Sequence, residues 1–273
     1  MSGIDAAFAK LGANLFLATK ISFVNELARL CDAYGASVDR VVESMAYDGR
    51  IGGRFLRPGV GFGGSCLPHQ VTMTVRSAAL AGVPSPLLAA VDEINHRQRM
   101  EFVERIGDIL GGGLEGTRIA LLGLTFKPFT DDLRDAPSLS IAARLIEEGA
   151  HVVAYDPMPS ARRRVSEVMP VVEVVDTALA ALEGADAAAL VTEWPEFVEL
   201  DWSMVSRVMR RAVIADGRGA LQQDLLTQMG FDYVAFGRGV SMHTAEPVTE
   251  LRQDGILEAP MTLADVTRLK VAE

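Results

Sequence analysis

The chain has 273 residues, of which 49% are hydrophobic and 23% charged, and its formal net charge is −10 at pH 7. This length allows two compact domains, and the acidic balance excludes a general nucleic-acid-binding protein, which needs a basic surface. No uninterrupted apolar run reaches the roughly 18 residues of a membrane span, and the N-terminus lacks the pattern of a secretory signal. With Cys31 and Cys66 as its two cysteines, the chain is predicted to lack a disulfide framework and to be cytoplasmic.

The first part of the chain is predicted to be helical throughout. Apolar residues at spacings of three and four predict one long helix over residues 5–35, with Gly35 as its C-cap. Because this helix is apolar on most sides, we expect it to be buried on most sides, as a core helix, a subunit interface or both. Further helices are expected from Ser37 onwards and over residues 69–83 and 86–110. Residues 1–110 are therefore predicted to form an all-α domain.

Residues 111–117 are a glycine-rich linker to a second predicted domain, residues 118–273. The linker matches a Gly-x-Gly-x-x-Gly pattern by letter, but it precedes a strand instead of following one, so it is not assigned to a dinucleotide phosphate. After it, apolar strands alternate with helices, which is typical of a parallel sheet covered on both faces. The predicted strands are 119–122, 152–155, 171–175, 187–191, 212–215 and 233–236, and the predicted helices are 137–148, 179–182 and 221–229. The predicted fold class is α/β.

The most specific motif covers residues 62–68 and reads Phe-Gly-Gly-Ser-Cys-Leu-Pro. Together with Gly61, its glycines allow a tight turn in which backbone N–H groups surround the sulfur of Cys66. A lone cysteine is more often a small buried hydrophobic residue, but a packed thiol does not require glycines around it. The pattern favours Cys66 as a nucleophile.

Two other features accompany this motif. Lys10 and Asn14 lie four residues apart on one face of the long helix. The segment 125–134, Thr-Phe-Lys-Pro-Phe-Thr-Asp-Asp-Leu-Arg, directly follows the first predicted strand, where ligands bind in parallel sheets. Together with the cysteine motif, they resemble the UDP-glucose/GDP-mannose dehydrogenase family. The resemblance runs from about residue 6 to about residue 240.

The resemblance implies a fold and an activity. Members of this family oxidise a sugar alcohol to a carboxylate with two NAD, through a thiohemiacetal and a thioester on the cysteine. By resemblance, residues 1–110 are a central dimerisation domain, and the second domain is a Rossmann-like UDP-binding domain. The implied partners are a nucleotide sugar such as UDP-glucose and a second copy of the chain, paired through the long helix.

The resemblance also assigns roles to individual residues. Lys10 and Asn14 hold the sugar and the oxyanion formed at its C6, beside the nucleophile Cys66. Arg134 faces the cofactor. The residues implied to contact the substrate are Arg50, Phe55, Arg57, Phe62, Gly63, Phe126, Lys127 and Arg218. The arginine at position 50 is expected to reach the sugar bound in the neighbouring subunit.

Two residue types in the second domain have simpler interpretations. Asp131 and Asp132 lie near Lys127 and Arg134 in sequence, so we interpret them as ion-pair partners and predict no metal site. Trp194 follows another strand, and we interpret it as packing against the sheet instead of stacking on uracil.

The chain departs from the family pattern at two points. The family has a lysine and an aspartate after the proline of the cysteine motif, whereas this chain has His69 and Gln70. The aspartate is associated with activating water to hydrolyse the thioester, and glutamine cannot take a proton. Loss of a general base costs about 10²–10⁴ in rate, so slow turnover is expected. Since Lys10 lies so near the first residue, we also expect the NAD-binding domain of the family to be missing from this chain.

Three functions are consistent with these residues. The chain is a catalytic fragment that works with a separate NAD-binding chain, or it binds UDP-sugars without oxidising them and regulates an intact dehydrogenase. In the third function, Cys66 is the nucleophile of a cofactor-free transferase or of an enzyme that forms a thioester. We expect a dehydrogenase-like dimer that retains the UDP-sugar half-site and is weakly active or inactive alone. Residues after about 242 have no functional interpretation.

Overall fold

The structure is a computed structural model, and it describes residues 1–242. The helices before the first strand are α1 (Gly3–Tyr34), α2 (Val38–Ala46), α3 (Leu67–Leu80) and α4 (Pro86–Ile109). α1 begins with a capping box between Ser2 and Asp5, and it ends at Gly35, whose φ of 67° lies in the left-handed region that glycine favours. The predicted helical part and the Gly35 cap are confirmed.

The remainder of the described chain alternates strands and helices. In chain order these are β1 (Arg118–Leu122), α5 (Pro137–Glu147), β2 (His151–Tyr155), α6 (Pro159–Val168), β3 (Glu173–Val174), α7 (Ala178–Leu182), β4 (Ala187–Leu190), α8 (Pro195–Val198), α9 (Trp202–Val208), β5 (Val213–Asp216), α10 (Gln223–Gln228), β6 (Asp232–Ala235) and β7 (Val240–Ser241). Within residues 1–242 the strands form a seven-stranded sheet in the order β3-β2-β1-β4-β5-β6-β7. The strand order reverses between β1 and β4, so the carboxyl ends of these strands are the expected ligand-binding edge.

The predicted α/β class with a Rossmann-like parallel sheet is confirmed. One strand differs, because β7 pairs with β6 in the antiparallel direction and was not predicted. The helices α6, α8 and α9 were not predicted either. The predicted domain boundaries stay predictions, and residues 243–273 of the second predicted domain lie outside the described residues.

The sheet separates two apolar clusters, because successive residues of a strand point to opposite faces. Leu121 of β1 belongs to one cluster and Leu122 to the other. The first cluster also contains Phe102 and Ile106 of α4, so the helical part packs on this face of the sheet. α4 therefore connects the long helix to the sheet, and it lies next to the candidate site described below.

α1 is buried on one face, not on most sides as the sequence analysis expects, and much of that face is polar. Ser22 donates a hydrogen bond to the Val91 carbonyl at 2.9 Å, and Asn25 Oδ1 accepts one from the Gly59 N–H at 2.8 Å. The opposite face carries an exposed apolar stripe, which we define as Phe8, Phe16, Phe23 and Leu30, exposed by 68, 64, 48 and 52%.

By length and composition alone, α1 is also long and apolar enough to cross a membrane, which the sequence analysis did not expect. Its hydrogen bonds to neighbouring segments of this chain make it a packed helix of this fold.

Candidate functional site

Cys66 lies at the N-cap position of α3, and its side chain is exposed. Residues 59–66, which end at Cys66, form a turn that is here called the cysteine turn. Gly64 in this turn has a φ of 84°, and a Cβ there would lie 2.9 Å from the Phe126 ring. A Cβ on Gly63 would overlap the Asp135 carbonyl oxygen. Gly63 and Gly64 therefore allow a close approach between the cysteine turn and the segments around Phe126 and Asp135, while the Cys66 thiol stays exposed.

We expect Gly63→Ala to lower the free energy of unfolding by about 1–3 kcal/mol, because the added methyl group overlaps backbone atoms that cannot easily move. Gly49→Ala is the matched control, since a Cβ there meets nothing within 4 Å. Its free energy of unfolding should stay within about 0.5 kcal/mol of the wild-type value. Urea denaturation followed by circular dichroism measures both. Equal stability of the two variants would contradict the close contact between Gly63 and the Asp135 carbonyl.

A chain of hydrogen bonds connects α1 with the helix that begins after Cys66. Lys10 Nζ donates to Asn14 Oδ1 at 3.3 Å, and Asn14 Nδ2 donates to Gln70 Oε1 at 2.9 Å. The Gln70 N–H in turn donates to the Cys66 carbonyl at 3.1 Å. The structure thus brings Lys10 and Asn14 to the first turn of α3. Of the two, Asn14 contacts Gln70 directly, and Lys10 reaches it only through Asn14.

The loop between β1 and α5, residues 123–136 and here called the β1–α5 loop, lies against the cysteine turn. The Gly64 N–H donates to the Arg134 carbonyl at 2.9 Å. The Phe126 ring packs on Gly64, and Lys127 Nζ lies 5.2 Å from the centre of that ring. Phe126, a predicted substrate contact, therefore packs on the cysteine turn, and Lys127, another, lies beside its ring.

An open cavity of about 630 Å³ lies next to Cys66. It is lined by Gly64, Ser65, Pro68, His69, Thr72, His96, Arg134 and Asp135. Arg134 pairs with Asp132 at 2.8 Å. This hydrogen-bonded pair raises the pKa of Arg134, to which the nearby Cys66 sulfur adds a smaller effect, and it lowers the pKa of Asp132. Asp132 thus makes the ion pair that the sequence predicts, and its guanidinium partner lies within electrostatic reach of the thiol.

The buried carboxylate of Asp156, which follows β2, holds together the carboxyl ends of neighbouring strands. Asp156 accepts hydrogen bonds from the Leu124 N–H at 2.7 Å and from Trp194 Nε1 at 3.2 Å. Trp194 also makes an edge contact with Phe129, 5.3 Å between ring centres, which agrees with its predicted packing role. The base of the β1–α5 loop is therefore fixed by side chains of two other strand ends.

Arg218 lies between β5 and the cysteine turn, with 15% of its side chain exposed. Its Nε donates to the Val191 carbonyl at 2.7 Å and its Nη1 to the Gly61 carbonyl at 3.0 Å. Glu193 lies 3.3 Å away, and burial lowers the pKa of Arg218 despite this neighbour. The guanidinium thus joins the sheet to the cysteine turn. Its predicted contact with substrate stays a prediction.

The other predicted substrate residues differ in exposure. Arg50 is exposed and pairs with Asp48 at 2.6 Å. Phe55, with a φ of 63°, and Arg57 are exposed as well. Phe62, by contrast, is buried and packs in a small apolar cluster between α1, α3 and α4. The contacts of these four residues with a substrate, including the one from a neighbouring subunit, stay predictions.

Two family profiles match the parts of the chain that carry these residues. The profile of the UDP-glucose/GDP-mannose dehydrogenase family, central domain, matches residues 5–97, and that of the UDP binding domain of the same family matches residues 120–223. Together these matches cover more than half of the chain. The chain belongs to the UDP-glucose/GDP-mannose dehydrogenase family. The first match contains Lys10, Asn14 and Cys66, and the second contains the β1–α5 loop and Arg218.

Relatives of this family member are similar to it over most of its length. UDP-glucose 6-dehydrogenase TuaD of Bacillus subtilis is 41% identical over 236 residues, which are 86% of this chain and 50% of the relative. UDP-glucose 6-dehydrogenase of Pseudomonas aeruginosa is 41% identical over 243 residues, 88% of this chain and 54% of the relative. The structure of a UDP-glucose dehydrogenase from Pyrobaculum islandicum is 34% identical to this chain and superimposes on it with a TM-score of 0.74. The match covers 81% of this chain and 49% of the Pyrobaculum chain. The chain spans about half the length of the curated relatives it matches.

NAD, the cofactor implied by the family resemblance, does not fit the residues that the structure describes. A dinucleotide-binding turn follows a strand and opens a helix, whereas the glycine-rich residues 111–116 precede β1. After β1, a Cβ on Gly123 would overlap Thr192, so this position is packed against protein. Arg134, the predicted cofactor contact, is paired with Asp132. Neither of these glycine segments within residues 1–242 forms a phosphate-binding turn, and the contact of Arg134 with a cofactor stays a prediction.

The sequence analysis missed two residues of α4 that hold the cysteine turn, Asn95 and Arg99. Both are buried, and both bond to the main chain of Phe62. The sequence gives no clear signal for them, because the buried face of α4 that carries them also holds the polar Gln98.

Proposed function

We propose that this chain is the nucleotide-sugar half of a nucleotide-sugar dehydrogenase. It binds a UDP-sugar such as UDP-glucose, and it offers Cys66 as the covalent nucleophile. The observation that carries this proposal is the hydrogen-bonded chain from Lys10 through Asn14 to Gln70, one helical turn from the thiol. Family membership and the position of Phe126 and Lys127 over the cysteine turn support it.

The residues around Cys66 suit addition of a thiol to a sugar aldehyde. In that step a carbon–sulfur bond forms, the thiol loses its proton, and the carbonyl electron pair moves onto oxygen. Lys10 and Asn14 carry N–H donors that stabilise this developing charge. Oxidation of the C6 alcohol to this aldehyde, and oxidation of the resulting thiohemiacetal, each require a hydride acceptor, for which residues 1–242 hold no dinucleotide turn. The chain's own contribution is thus to bind the nucleotide sugar, orient its C6 and hold it covalently.

Gln70 favours a second function, that of a UDP-sugar-binding partner of an intact dehydrogenase. A glutamine cannot activate water, so a thioester on Cys66 would be hydrolysed slowly. Under this function the chain binds the same ligands without producing NADH. Both functions share the UDP-sugar site and differ in turnover.

Isothermal calorimetry with UDP, UDP-glucose, GDP-mannose and NAD, each alone, tests the shared site. We expect UDP and UDP-glucose to bind and NAD not to bind. Lys127→Ala should weaken UDP binding about 10-fold or more, since a charge-assisted hydrogen bond contributes about 1.5–3 kcal/mol. Arg163→Ala, an exposed cation on α6, is the control and should leave UDP affinity unchanged. Tight NAD binding without UDP binding would contradict the proposal.

We further propose that two copies of the chain pair through the apolar stripe on α1. Phe16, Phe23 and Leu30 recur at intervals of seven residues, so they line one side of the helix and suit pairing with another helix. Large apolar side chains exposed in a continuous row mark an interaction surface. A second copy presents the same stripe, which gives a self-complementary interface.

The double substitution Phe16→Glu, Phe23→Glu should convert a dimer into a monomer. Burying one phenylalanine contributes roughly 1.5–3 kcal/mol, so the loss of two on each subunit should weaken pairing at least about 100-fold. Sedimentation equilibrium measures the mass. Leu80→Glu with Leu87→Glu makes the same chemical change at exposed positions outside the stripe and serves as control. A dimer that withstands the α1 substitutions, or dissociates with the control, would contradict the α1 interface.

A further inference from the structure

The main chain of Phe62, within the cysteine turn, is bonded on both sides by Asn95. The Phe62 N–H donates to Asn95 Oδ1 at 2.8 Å, and Asn95 Nδ2 donates to the Phe62 carbonyl at 3.0 Å. Asn95 is 1% exposed. Because one amide side chain satisfies both polar groups of one peptide residue, it fixes the orientation of the chain that leads to Cys66.

Arg99, one turn later on α4, joins the same residue to the β1–α5 loop. Its Nη2 donates to the Phe62 carbonyl at 2.9 Å and to the Asp135 carbonyl at 3.3 Å. Its Nη1 pairs with the Asp135 carboxylate at 3.1 Å. The Arg99 side chain is 4% exposed. A rigid guanidinium with several donors can hold two segments at a fixed separation, which a lysine ammonium cannot.

These contacts lie between the two groups that the proposed reaction must align. Asp135 immediately follows Arg134, whose carbonyl accepts from the Gly64 N–H, so Arg99 acts where the β1–α5 loop crosses the cysteine turn. That loop carries Phe126 and Lys127 on one side of the crossing, and Cys66 ends the cysteine turn on the other. Asn95 and Arg99 therefore set the position of the thiol relative to the nucleotide-binding loop.

We propose that Asn95 and Arg99 are positioning residues, which align Cys66 with the sugar of a nucleotide bound at the β1–α5 loop. This role rests on the proposed function, because it presumes a UDP-sugar at that loop. A displacement of about 1 Å can cost 10²-fold in the efficiency of a positioned reaction. The two residues act through the backbone of Phe62 and Asp135 and do not themselves touch the reacting atoms.

The experiment measures how well the sugar shields the thiol. Alkylation of Cys66 by iodoacetamide is followed by peptide mass spectrometry without ligand, with saturating UDP and with saturating UDP-glucose. The two ligands differ only in the sugar, so the alkylation rate with UDP divided by the rate with UDP-glucose measures how far the sugar shields the thiol. Nucleotide binding contributes to both rates and does not change this ratio. In wild-type protein we expect UDP-glucose to slow alkylation at least about 10-fold more than UDP does.

The variants are Asn95→Asp, which loses the donor to the Phe62 carbonyl, and Arg99→Lys, which cannot hold both segments. In each we expect the UDP/UDP-glucose rate ratio to fall at least about fivefold, while the UDP dissociation constant changes less than about threefold. A residue that only stabilised the fold would alter both quantities together. Gln98→Met is the matched control, because Gln98 is fully buried on the same helix and its amide has no hydrogen-bond partner within residues 1–242. Its ratio should equal that of the wild type.

Asp135→Asn decides the question if the buried variants do not fold. Asp135 has a φ of 46°, a conformation that asparagine adopts readily, and its side chain is 38% exposed. The substitution removes the ion pair with Arg99, and we expect the rate ratio to fall at least about threefold. Wild-type protection with unchanged ratios in the folded variants would overturn the positioning role alone. Absence of UDP-glucose protection in wild-type protein would overturn the proposed function, and the positioning role with it.

Discussion

Replacing Gln70 by aspartate should accelerate hydrolysis of a Cys66 thioester by about 10²–10⁴-fold, the usual contribution of a general base. Residue 70 lies one turn after Cys66, and its side-chain oxygen already accepts a hydrogen bond from Asn14. An aspartate at this position keeps a hydrogen-bond acceptor and gains the ability to take a proton from water. The gain should disappear as the pH falls below the pKa of the new carboxylate, because only its ionised form is a base.

The rate is measured by acylating Cys66 with an activated acyl donor and following its loss by intact-protein mass spectrometry. Gln70→Asn is the matched control, since it has the size of aspartate without its basicity. Its thioester should persist as long as that of the wild type. Equal lifetimes of the Gln70→Asp and Gln70→Asn thioesters would show that residue 70 does not reach the attacking water.

The largest expected loss of stability follows substitution of Asp216 by leucine. Asp216 is fully buried at the end of β5 and accepts hydrogen bonds from the Arg218 N–H at 2.9 Å, the Leu221 N–H at 2.8 Å and the Tyr233 hydroxyl at 2.9 Å. Asp216→Leu leaves these donors buried without their acceptor, at a cost of about 3–5 kcal/mol. The melting temperature should fall by roughly 10 °C.

Differential scanning calorimetry measures this change. Asp224→Leu, an exposed carboxylate on α10, is the control and should melt within about 2 °C of the wild type. A similar melting temperature for both variants would mean that the strand end rearranges to satisfy its donors elsewhere.

The same carboxyl predicts a pH dependence with a defined sign. Burial raises the pKa of Asp216, and the hydrogen bonds only partly oppose it. The folded protein thus holds this proton more tightly than the unfolded chain, whose aspartates titrate at about 3.9. The stabilising contribution is complete below that value, and it is lost as the pH rises through the raised pKa of the folded state. The unfolding free energy of the wild type minus that of Asp216→Asn should therefore decrease from pH 4 upwards, as measured by urea titrations.

Much of the fold could be predicted because its local patterns are strong. The β1 and β4 strands are short runs of apolar residues, buried on both faces, and such runs predict parallel strands. α6 was missed because three consecutive arginines, residues 162–164, hide its few apolar positions. β7 has two residues, and its antiparallel pairing depends on β6, so no local pattern indicates it.

The site could be predicted only where a local sequence pattern indicates it. Glycines around Cys66 indicate a constrained turn by themselves. Lys10 and Asn14, in contrast, lie far from Cys66 in sequence, and only the family resemblance connected them with it. Asn95 and Arg99 act on the backbone of a residue more than 30 positions away. No spacing rule describes such contacts, because they arise when α4 packs beside the cysteine turn.

The anchoring of the cysteine turn also bears on how the protein is made. The Val60 N–H donates to the Gly217 carbonyl, and the Gly61 carbonyl accepts from Arg218, so the turn is anchored by residues translated about 150 positions later. A nascent chain that has only its helices cannot yet arrange this loop. The thiol would then acquire these surroundings only after β5 has emerged from the ribosome, and a shorter nascent chain would carry Cys66 without them.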